Sequence, residues 1–108
     1  MKVLIFEDNL MWNQRLRKTL ESLGHEAMIF TSMPDEVGEA DVAIVNLGSS
    51  TMPPEALVSK LKVAGIRIVA HAGHKEKDLQ KLGKALGCDR LATNSELTFK
   101  LEDILAAV

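Results

Sequence analysis

The hydrophobic and polar positions along the chain fall into two patterns that alternate at regular intervals. Residues 3–6, 42–45 and 66–70 are short apolar runs rich in β-branched side chains. Runs of this length and continuity are typical of strands that are covered on both faces of a sheet. Residues 25–30 are less apolar, which favours an edge strand, and residues 88–93 supply a fifth predicted strand.

The segments between these runs carry apolar residues at helical spacing. The pattern predicts helices over residues 10–23, from Pro54 to a stop at Gly65, over residues 75–86 and over residues 95–107. Residues 33–39 follow a capping-box sequence and contain an early proline, which predicts one further short helix. We expect buried faces formed by Leu10, Trp12, Leu16, Leu20 and Leu23 in the first helix, by Leu79, Leu82, Ala85 and Leu86 in the helix over residues 75–86, and by Leu97, Leu101, Ile104 and Leu105 in the last.

Strands and helices therefore alternate five times with short connections. Parallel strands joined by right-handed helical crossovers form a sheet with helices on both faces. For such units the expected strand order is 2-1-3-4-5, the three-layer α/β sandwich of flavodoxin-like (βα)5 folds. The chain has 108 residues, of which 46% are hydrophobic, so we expect residues 1–108 to form a single domain.

Charge and cysteine content narrow the classes of function. The 13 Lys and Arg side chains nearly balance the 15 Asp and Glu side chains, so the net charge of -2 gives no general attraction to nucleic acid or to an anionic membrane. The N-terminal apolar run is too short for a signal peptide or a membrane span, and we expect a cytoplasmic protein. Cys88 is the only cysteine, which excludes an internal disulfide and favours a small core residue.

Open parallel sheets bind their ligands beyond the carboxyl ends of the strands, at the point where the strand order reverses. This rule selects the residues that follow the predicted strands, without reference to any family. They are Glu7, Asp8 and Asn9 after the first strand, Asn46 and residues 47–51 after the third, His71 to His74 after the fourth, and Thr93, Asn94 and Ser95 after the fifth.

Several stretches together resemble the response-regulator receiver domains of two-component phosphorelay signalling, the CheY-like family. They are the acidic pair Glu7-Asp8 after VLIF, LESLGHEA before the second strand, DVAIVN for the third, and LGCDRLATNS near the end, so the resemblance covers nearly the whole chain. In that family the acidic pair helps to hold Mg²⁺, and an aspartate that closes the third strand receives the phosphoryl group. A serine or threonine closes the fourth strand and a lysine closes the fifth. The matching residues here are Asn46, His71 and Asn94, so only the acidic pair is retained.

These departures imply a pseudo-receiver without phosphoacceptor chemistry. An amide oxygen is neutral and a poor nucleophile, and the position of Asn94 no longer supplies a cation to a phosphorylated neighbour. Replacing a carboxylate by the amide of Asn46 also weakens any Mg²⁺ site at Glu7 and Asp8, because hard cations prefer charged oxygens. We therefore expect no enzymatic activity and no cofactor beyond weakly held or lost Mg²⁺.

The resemblance implies a protein-protein interaction module. The expected partner is a protein, such as a histidine kinase or an output protein, bound through the first helix or through the helix over residues 75–86. On the latter helix, Lys75, Lys77, Lys81 and Lys84 are predicted to point largely outward. Together with Arg90 on the nearby fifth strand they form a surface that resembles the family's output and dimer face, although lysine-rich faces are usually only solvated. We expect no direct binding to nucleic acid or membrane, and a monomer or weak homodimer.

Other interpretations of these residues remain open. Glu7 and Asp8 could serve only as cap and first-turn charges for the following helix. His71 and His74 could form a phosphohistidine or half of a metal site, although we favour ordinary polar loop residues. Residues 48–51 could cradle an anion or form a plain turn. The alternative functions are a receiver phosphorylated on His71 or Asp8, and a flavodoxin-like domain that binds a small molecule at residues 48–51.

Overall fold

The computed structural model describes all 108 residues and contains one sheet of five parallel strands. The strands are β1 (Lys2–Phe6), β2 (Glu26–Phe30), β3 (Val42–Asn46), β4 (Arg67–His71) and β5 (Arg90–Ala92). Their order in the sheet is β2-β1-β3-β4-β5, as the sequence predicts. The order therefore reverses beside β1, and the carboxyl ends of all the strands lie along one edge.

Helices cover both faces of this sheet. They are α1 (Leu10–Ser22), α2 (Pro54–Val63), α3 (Lys77–Ala85), α4 (Asn94–Phe99) and α5 (Leu101–Ala107). Helices α1, α4 and α5 pack on one face, whereas α2 and α3 pack on the other, so the predicted three-layer arrangement is confirmed. None of the helices combines the length and the apolar character that crossing a membrane requires.

Each central strand supplies side chains to both cores, because successive residues of a strand point in opposite directions. In β1, Val3 and Ile5 enter the core beneath α1, while Leu4 and Phe6 enter the core beneath α2. All of these side chains are fully buried. The strand is therefore continuously apolar rather than alternating. The edge strand β2 has the expected mixture of exposed and partly buried residues.

The segment between β2 and β3 contains no helix, so the helix predicted over residues 33–39 is wrong. Gly38 has a φ of 72°, which interrupts a right-handed helix. A segment of about two turns also gains few hydrogen bonds to offset the cost of helix nucleation. Met33, Val37 and Ala40 still pack against the core, so their helical spacing reflects the burial of an irregular segment.

Helix α1 begins just beyond the end of the sheet. Its N-cap is Asn9, whose Oδ1 accepts hydrogen bonds from the backbone N–H groups of Met11 and Trp12 at 3.1 and 2.9 Å. The interpretation of Glu7 and Asp8 as capping residues is therefore wrong. Leu10 is 69% exposed, so its predicted place on the buried face is also wrong. Leu10 lies on the outer side of the first turn, whereas Trp12 in the same turn packs against the core.

Helix α3 approaches the sheet closely through a glycine. A Cβ atom at Gly83 would collide with Cδ2 of Leu91 and would lie 3.0 Å from Cδ1 of Leu47. Because Gly83 takes the inward position, Ala85 is exposed, contrary to the prediction. The outward prediction is confirmed for the exposed lysines Lys75, Lys77, Lys81 and Lys84.

The helix predicted over residues 95–107 is divided into α4 and α5. The break lies at Lys100, which has a φ of -129° and a ψ of 23°. Thr98 Oγ1 donates to the backbone carbonyl of Asn94 at 2.9 Å, and side-chain bonds of this kind compete with the helix ladder. The predicted buried residues Leu97, Leu101, Ile104 and Leu105 nevertheless all lie in the core.

Strand β5 contains only 3 residues and is shorter than the predicted strand over residues 88–93. Asp89 Oδ2 accepts the backbone N–H of Ile68 at 2.7 Å, so a side chain replaces a ladder bond where the strand would begin. Cys88 is partly buried against the core, as expected for a small core residue. Burial raises the pKa of its thiol.

Replacing Leu20 with alanine should lower the free energy of unfolding by about 2–5 kcal/mol, because the change leaves a cavity in the core. Leu20 is 0% exposed and lies on the buried face of α1. The matched variant Leu10→Ala removes the same atoms from an exposed position and should change the free energy by less than about 0.5 kcal/mol. Urea denaturation of the wild-type protein and both variants measures the difference. Equal losses would contradict the buried face of α1 described above.

Candidate functional site

Four polar side chains form a ladder across the carboxyl ends of adjacent strands. Asn46 Nδ2 donates to Glu7 Oε2 at 2.6 Å. The other carboxyl oxygen of Glu7, Oε1, lies 3.6 Å from His71 Nε2. His71 Nδ1 in turn contacts Asn94 Oδ1 at 2.9 Å. We call these residues the ladder. It joins the ends of β1, β3 and β4 to the first residue of α4, and it contains all three residues that depart from the receiver pattern.

Glu7 is the buried carboxyl at the centre of the ladder. Its side chain is 3% exposed. Desolvation raises the pKa of Glu7, and the hydrogen bond from Asn46 and a weak one from the backbone of Asn9 reduce that rise without cancelling it. The backbone carbonyl of Glu7 accepts a bond from Asn13 Nδ2 at 3.1 Å, which ties α1 to the end of β1. No lysine or arginine pairs with this carboxyl.

His71 is the last residue of β4 and is 2% exposed, so the interpretation of this histidine as an ordinary loop residue is wrong. Burial lowers its pKa, against the opposing effects of the Asn94 hydrogen bond and of Glu76 nearby. Because the carbonyl oxygen of Asn94 can only accept, the neutral imidazole carries its proton on Nδ1. Its Nε2 is buried and has no hydrogen-bond partner. His74, by contrast, is exposed in the following loop.

Asp8 lies beside the ladder and is held by the loop after β3. Its Oδ2 accepts bonds from Ser49 Oγ at 2.9 Å, Ser50 N at 3.1 Å, Ser50 Oγ at 3.3 Å and Thr51 Oγ1 at 3.4 Å. Partial burial raises the pKa of Asp8, but these hydrogen bonds outweigh it, and the pKa is lowered overall. Residues 48–51 therefore cradle an anion, as one interpretation of the sequence proposed, and that anion is the protein's own Asp8.

The ladder forms the floor of a cleft of about 570 Å³ between α1, the loop after β4 and α4. Trp12 forms one wall, with its ring centroid 6.4 Å from that of His71. The guanidinium of Arg15 lies 5.8 Å above the Trp12 ring. The strand-end rule did not select the lining residues Trp12, Arg15, Glu76 and Thr98. They lie on helices or beside them rather than directly after strands, so the strand-end rule could not find them.

The residues of this edge do not fit a Mg²⁺ ion. Asn46 directs its Nδ2 donors at Glu7, and its Oδ1 accepts the backbone N–H of Gly48 at 2.9 Å. Asp8 Oδ2 is already surrounded by donors from the loop after β3. No group of three His, Cys, Asp or Glu side chains is arranged to hold a metal ion. His71 and His74 do not form half of such a site either, because His71 is buried in the ladder and His74 is exposed.

Replacing Glu7 with glutamine should raise the free energy of unfolding by about 1 kcal/mol at neutral pH. The amide oxygen can keep the bond from Asn46. The amide N–H can donate to His71 Nε2 once a small side-chain shift shortens the present separation of 3.6 Å, so a buried charge is replaced by hydrogen bonds. Because the pKa of Glu7 is raised on folding, wild-type stability falls as the pH rises through that value. The advantage of the variant should therefore grow with pH. Urea denaturation at several pH values measures it, and the exposed Glu39→Gln change is the control.

His71 should make folding sensitive to acid. In the unfolded chain its imidazole binds a proton below about pH 6.5, whereas the buried ring in the native protein resists protonation until a lower pH. The contribution of the neutral, buried His71 to stability should therefore be complete above about pH 6.5, and it should be lost as the pH drops toward the lowered native pKa. The decline is measured in the Glu7→Gln background, where the carboxyl no longer titrates. Adding His71→Gln to that variant should abolish the decline in stability, whereas adding His74→Gln should leave it in place. Identical pH profiles would contradict the burial of His71.

Comparisons with known proteins place this geometry in a familiar fold. No family model matches the sequence, and no curated protein sequence resembles it significantly. Among solved structures, the CheY-like receiver domain protein of Methanospirillum hungatei has a TM-score of 0.78 at 17% identity, covering 97% of this chain and 93% of that one. The signal receiver domain of a DNA-binding response regulator of Colwellia psychrerythraea has a TM-score of 0.77 at 20% identity, covering 98% of both chains.

A receiver domain from Rhodospirillum rubrum gives the same result, with a TM-score of 0.77 at 14% identity and coverage of 100% of this chain and 95% of that one. These identities are low, so the likeness concerns the fold. It extends over the whole chain and includes the strand order. This chain has the fold of CheY-like response-regulator receiver domains, as the resemblance in its sequence predicts.

Proposed function

We propose that this chain is a receiver-like domain of two-component signalling that acts by binding a protein partner, without being phosphorylated. The observation that carries the proposal is the contact between Asn46 Nδ2 and Glu7 Oε2 at 2.6 Å. At the position that matches the phosphoacceptor of receiver domains, this chain presents an amide that is engaged with a buried carboxyl.

The chemistry of the ladder supports the loss of phosphoryl transfer. Transfer to a carboxylate requires an anionic oxygen as the nucleophile and cations that neutralise the charge of the transferred group. Asn46 has no anionic oxygen, its neighbours do not fit a Mg²⁺ ion, and Asn94 carries no charge where receiver domains have a lysine. The proposed domain is accordingly not an enzyme and uses no cofactor.

The alternative phosphoacceptors have unfavourable surroundings. Nε2 of His71 is buried, and its Nδ1 is engaged with Asn94. A phosphoryl donor could reach this ring only if the ladder opened. Asp8 remains anionic, but its Oδ2 is surrounded by donors from Ser49, Ser50 and Thr51, which stabilise the carboxylate and reduce its nucleophilicity.

An exposed apolar first turn supports the interaction role. Leu10 is 69% and Met11 is 86% exposed at the start of α1, next to the cleft wall formed by Trp12. Exposed apolar side chains beside a tryptophan are a common feature of protein interfaces. The proposed partner is a protein of the same signalling system, a histidine kinase or an output protein. In this proposal the domain is cytoplasmic, is a monomer or weak homodimer, and contacts neither nucleic acid nor membrane directly.

Incubation with Mg²⁺ and a small acyl-phosphate donor should leave the wild-type protein unmodified, as judged by intact mass. The matched variant Asn46→Asp restores a carboxylate at the end of β3 and should gain one phosphoryl group. Because Asn94 supplies no cation, the double variant Asn46→Asp/Asn94→Lys should be modified more extensively than Asn46→Asp alone.

Phosphorylation of the wild-type protein would overturn the proposal. The site would then be mapped with the single variants His71→Gln and Asp8→Asn, and acid lability would distinguish a phosphohistidine from an acyl phosphate. Failure of both Asn46→Asp variants to react, with their folds intact by circular dichroism, would contradict the view that this edge is a receiver site silenced at these positions.

A further inference from the structure

The cleft above the ladder has an excess of negative charge that the chain itself does not neutralise. Asp8 and Glu76 line it and form no salt bridge, and Glu7 faces only His71. The first two carboxylates do accept local hydrogen bonds, Asp8 from the loop after β3 and Glu76 Oε1 from the backbone N–H of Gly73 at 2.7 Å. Hydrogen bonds of this kind hold the carboxylates in place without removing their charge.

A second and independent feature of the cleft is an unpartnered nitrogen. His71 has its proton on Nδ1, which faces Asn94, so Nε2 presents a lone pair. The side chain is 3% exposed and lines the cleft, and this Nε2 has no hydrogen-bond partner. Glu7 Oε1 lies 3.6 Å away, which is too far for a direct hydrogen bond between the two groups. A buried acceptor without a donor is costly, and a ligand that brings a donor would remove that cost.

The cation already in the cleft does not satisfy these acceptors. Arg15 lies over the face of Trp12 and forms no salt bridge with any carboxylate. Its guanidinium is also on the exposed surface of α1, at the mouth rather than the floor of the cleft. The floor therefore contains acceptors that face one another with no donor between them.

We infer that this cleft binds a primary ammonium group, of the kind carried by a lysine side chain or by a small alkylamine. An ammonium nitrogen can lie about 2.9 Å from Glu7 Oε1 and from His71 Nε2 at the same time, because these atoms are 3.6 Å apart. Nε2 is buried in the free protein, so the ligand reaches it only when a side-chain movement opens the ladder to the cleft. Asp8 and Glu76 line the same cleft, and their negative charge adds to the attraction for the cation. The Trp12 ring offers a surface for the attached alkyl chain, and the negative face of its π system attracts the cation.

Two other cations fit this arrangement less well. A metal ion requires several ligands in one compact shell, and no three His, Cys, Asp or Glu side chains converge in that way. A guanidinium is held best by both oxygens of one carboxylate. In Glu7 one of these oxygens is already occupied by Asn46 at 2.6 Å, which leaves a single oxygen for the ligand. A compact ammonium with separate donors matches what remains.

The inference concerns the cleft itself and holds whether or not the domain is a signalling module. Trp12 is the only tryptophan of the chain and lines the cleft, so its fluorescence reports binding directly. The probe is n-butylammonium chloride at neutral pH. Tetramethylammonium chloride at the same ionic strength is the control, because it carries the same charge but has no N–H donor. We expect a saturable change with butylammonium, with a dissociation constant on the order of millimolar for so small a ligand, and no saturable change with tetramethylammonium.

The variant Glu7→Gln gives the sharpest test. Its amide removes the acceptor oxygen and supplies the missing donor to His71 Nε2, so binding should weaken at least about tenfold, the loss expected for one charged hydrogen bond. The same variant should be no less stable than the wild-type protein, so lost binding cannot be attributed to unfolding. Glu39→Gln, which removes a carboxylate away from the cleft, should bind like wild type. Glu76→Gln provides a second variant at the wall and should weaken binding by a smaller factor.

Comparison of ligands identifies the natural source of the ammonium group. Nα-acetyl-lysine amide should bind at least as well as butylammonium if a protein lysine is the ligand, and its Nε-acetylated form should not bind. Tighter binding of spermidine than of either would instead identify a free polyamine. The inference is overturned if wild-type protein shows no saturable response, if tetramethylammonium gives the same response, or if Glu7→Gln binds butylammonium with unchanged affinity.

Discussion

The buried carboxyl of Glu7 is the constraint on which the rest of the site depends. A carboxyl that is almost fully removed from water must be protonated, paired with a cation or supplied with hydrogen bonds. Here its neighbours are an amide and an imidazole. Asn46 Nδ2 donates to Glu7 Oε2 at 2.6 Å, and His71 Nε2 lies 3.6 Å from Glu7 Oε1. Desolvation raises the pKa of Glu7, and the bond from Asn46 offsets only part of that rise. The three departures from the receiver pattern thus surround one buried carboxyl with neutral polar groups, and they leave His71 Nε2 without a donor.

Most of the fold could be predicted because its signals are local. Short apolar runs and the glycines after helices fix the order of elements, and the crossover rule then limits the strand order. The errors occurred where spacing alone is ambiguous. Met33, Val37 and Ala40 have the spacing of a helix but are buried by an irregular segment, and Gly83 rather than Ala85 faces the sheet. In both cases packing between elements, which periodicity does not encode, decided the outcome.

The candidate site was predictable in its position but not in its contacts. The strand-end rule selected the residues of the ladder because parallel strands end along one edge. Their partners were beyond reach, since Asp8 and Ser49 are 41 residues apart in sequence and meet only through the sheet. His71 illustrates the same limit. One position along the chain separates a buried strand residue from a loop residue, and sequence patterns do not resolve strand ends so finely.

A site of this kind constrains how the domain can carry a signal. A ligand changes a conformational equilibrium only by interacting differently with its alternative states. Phosphorylation does so by adding charge at one residue, and Asn46, at the position that matches the phosphoacceptor, has no anionic oxygen for that change, while Asn94 supplies no cation. Its acceptors nevertheless remain at the floor of an open cleft beside the exposed first turn of α1. In the proposed function a signal at this edge arrives as a bound group, and the acceptors favour one that brings hydrogen-bond donors and positive charge.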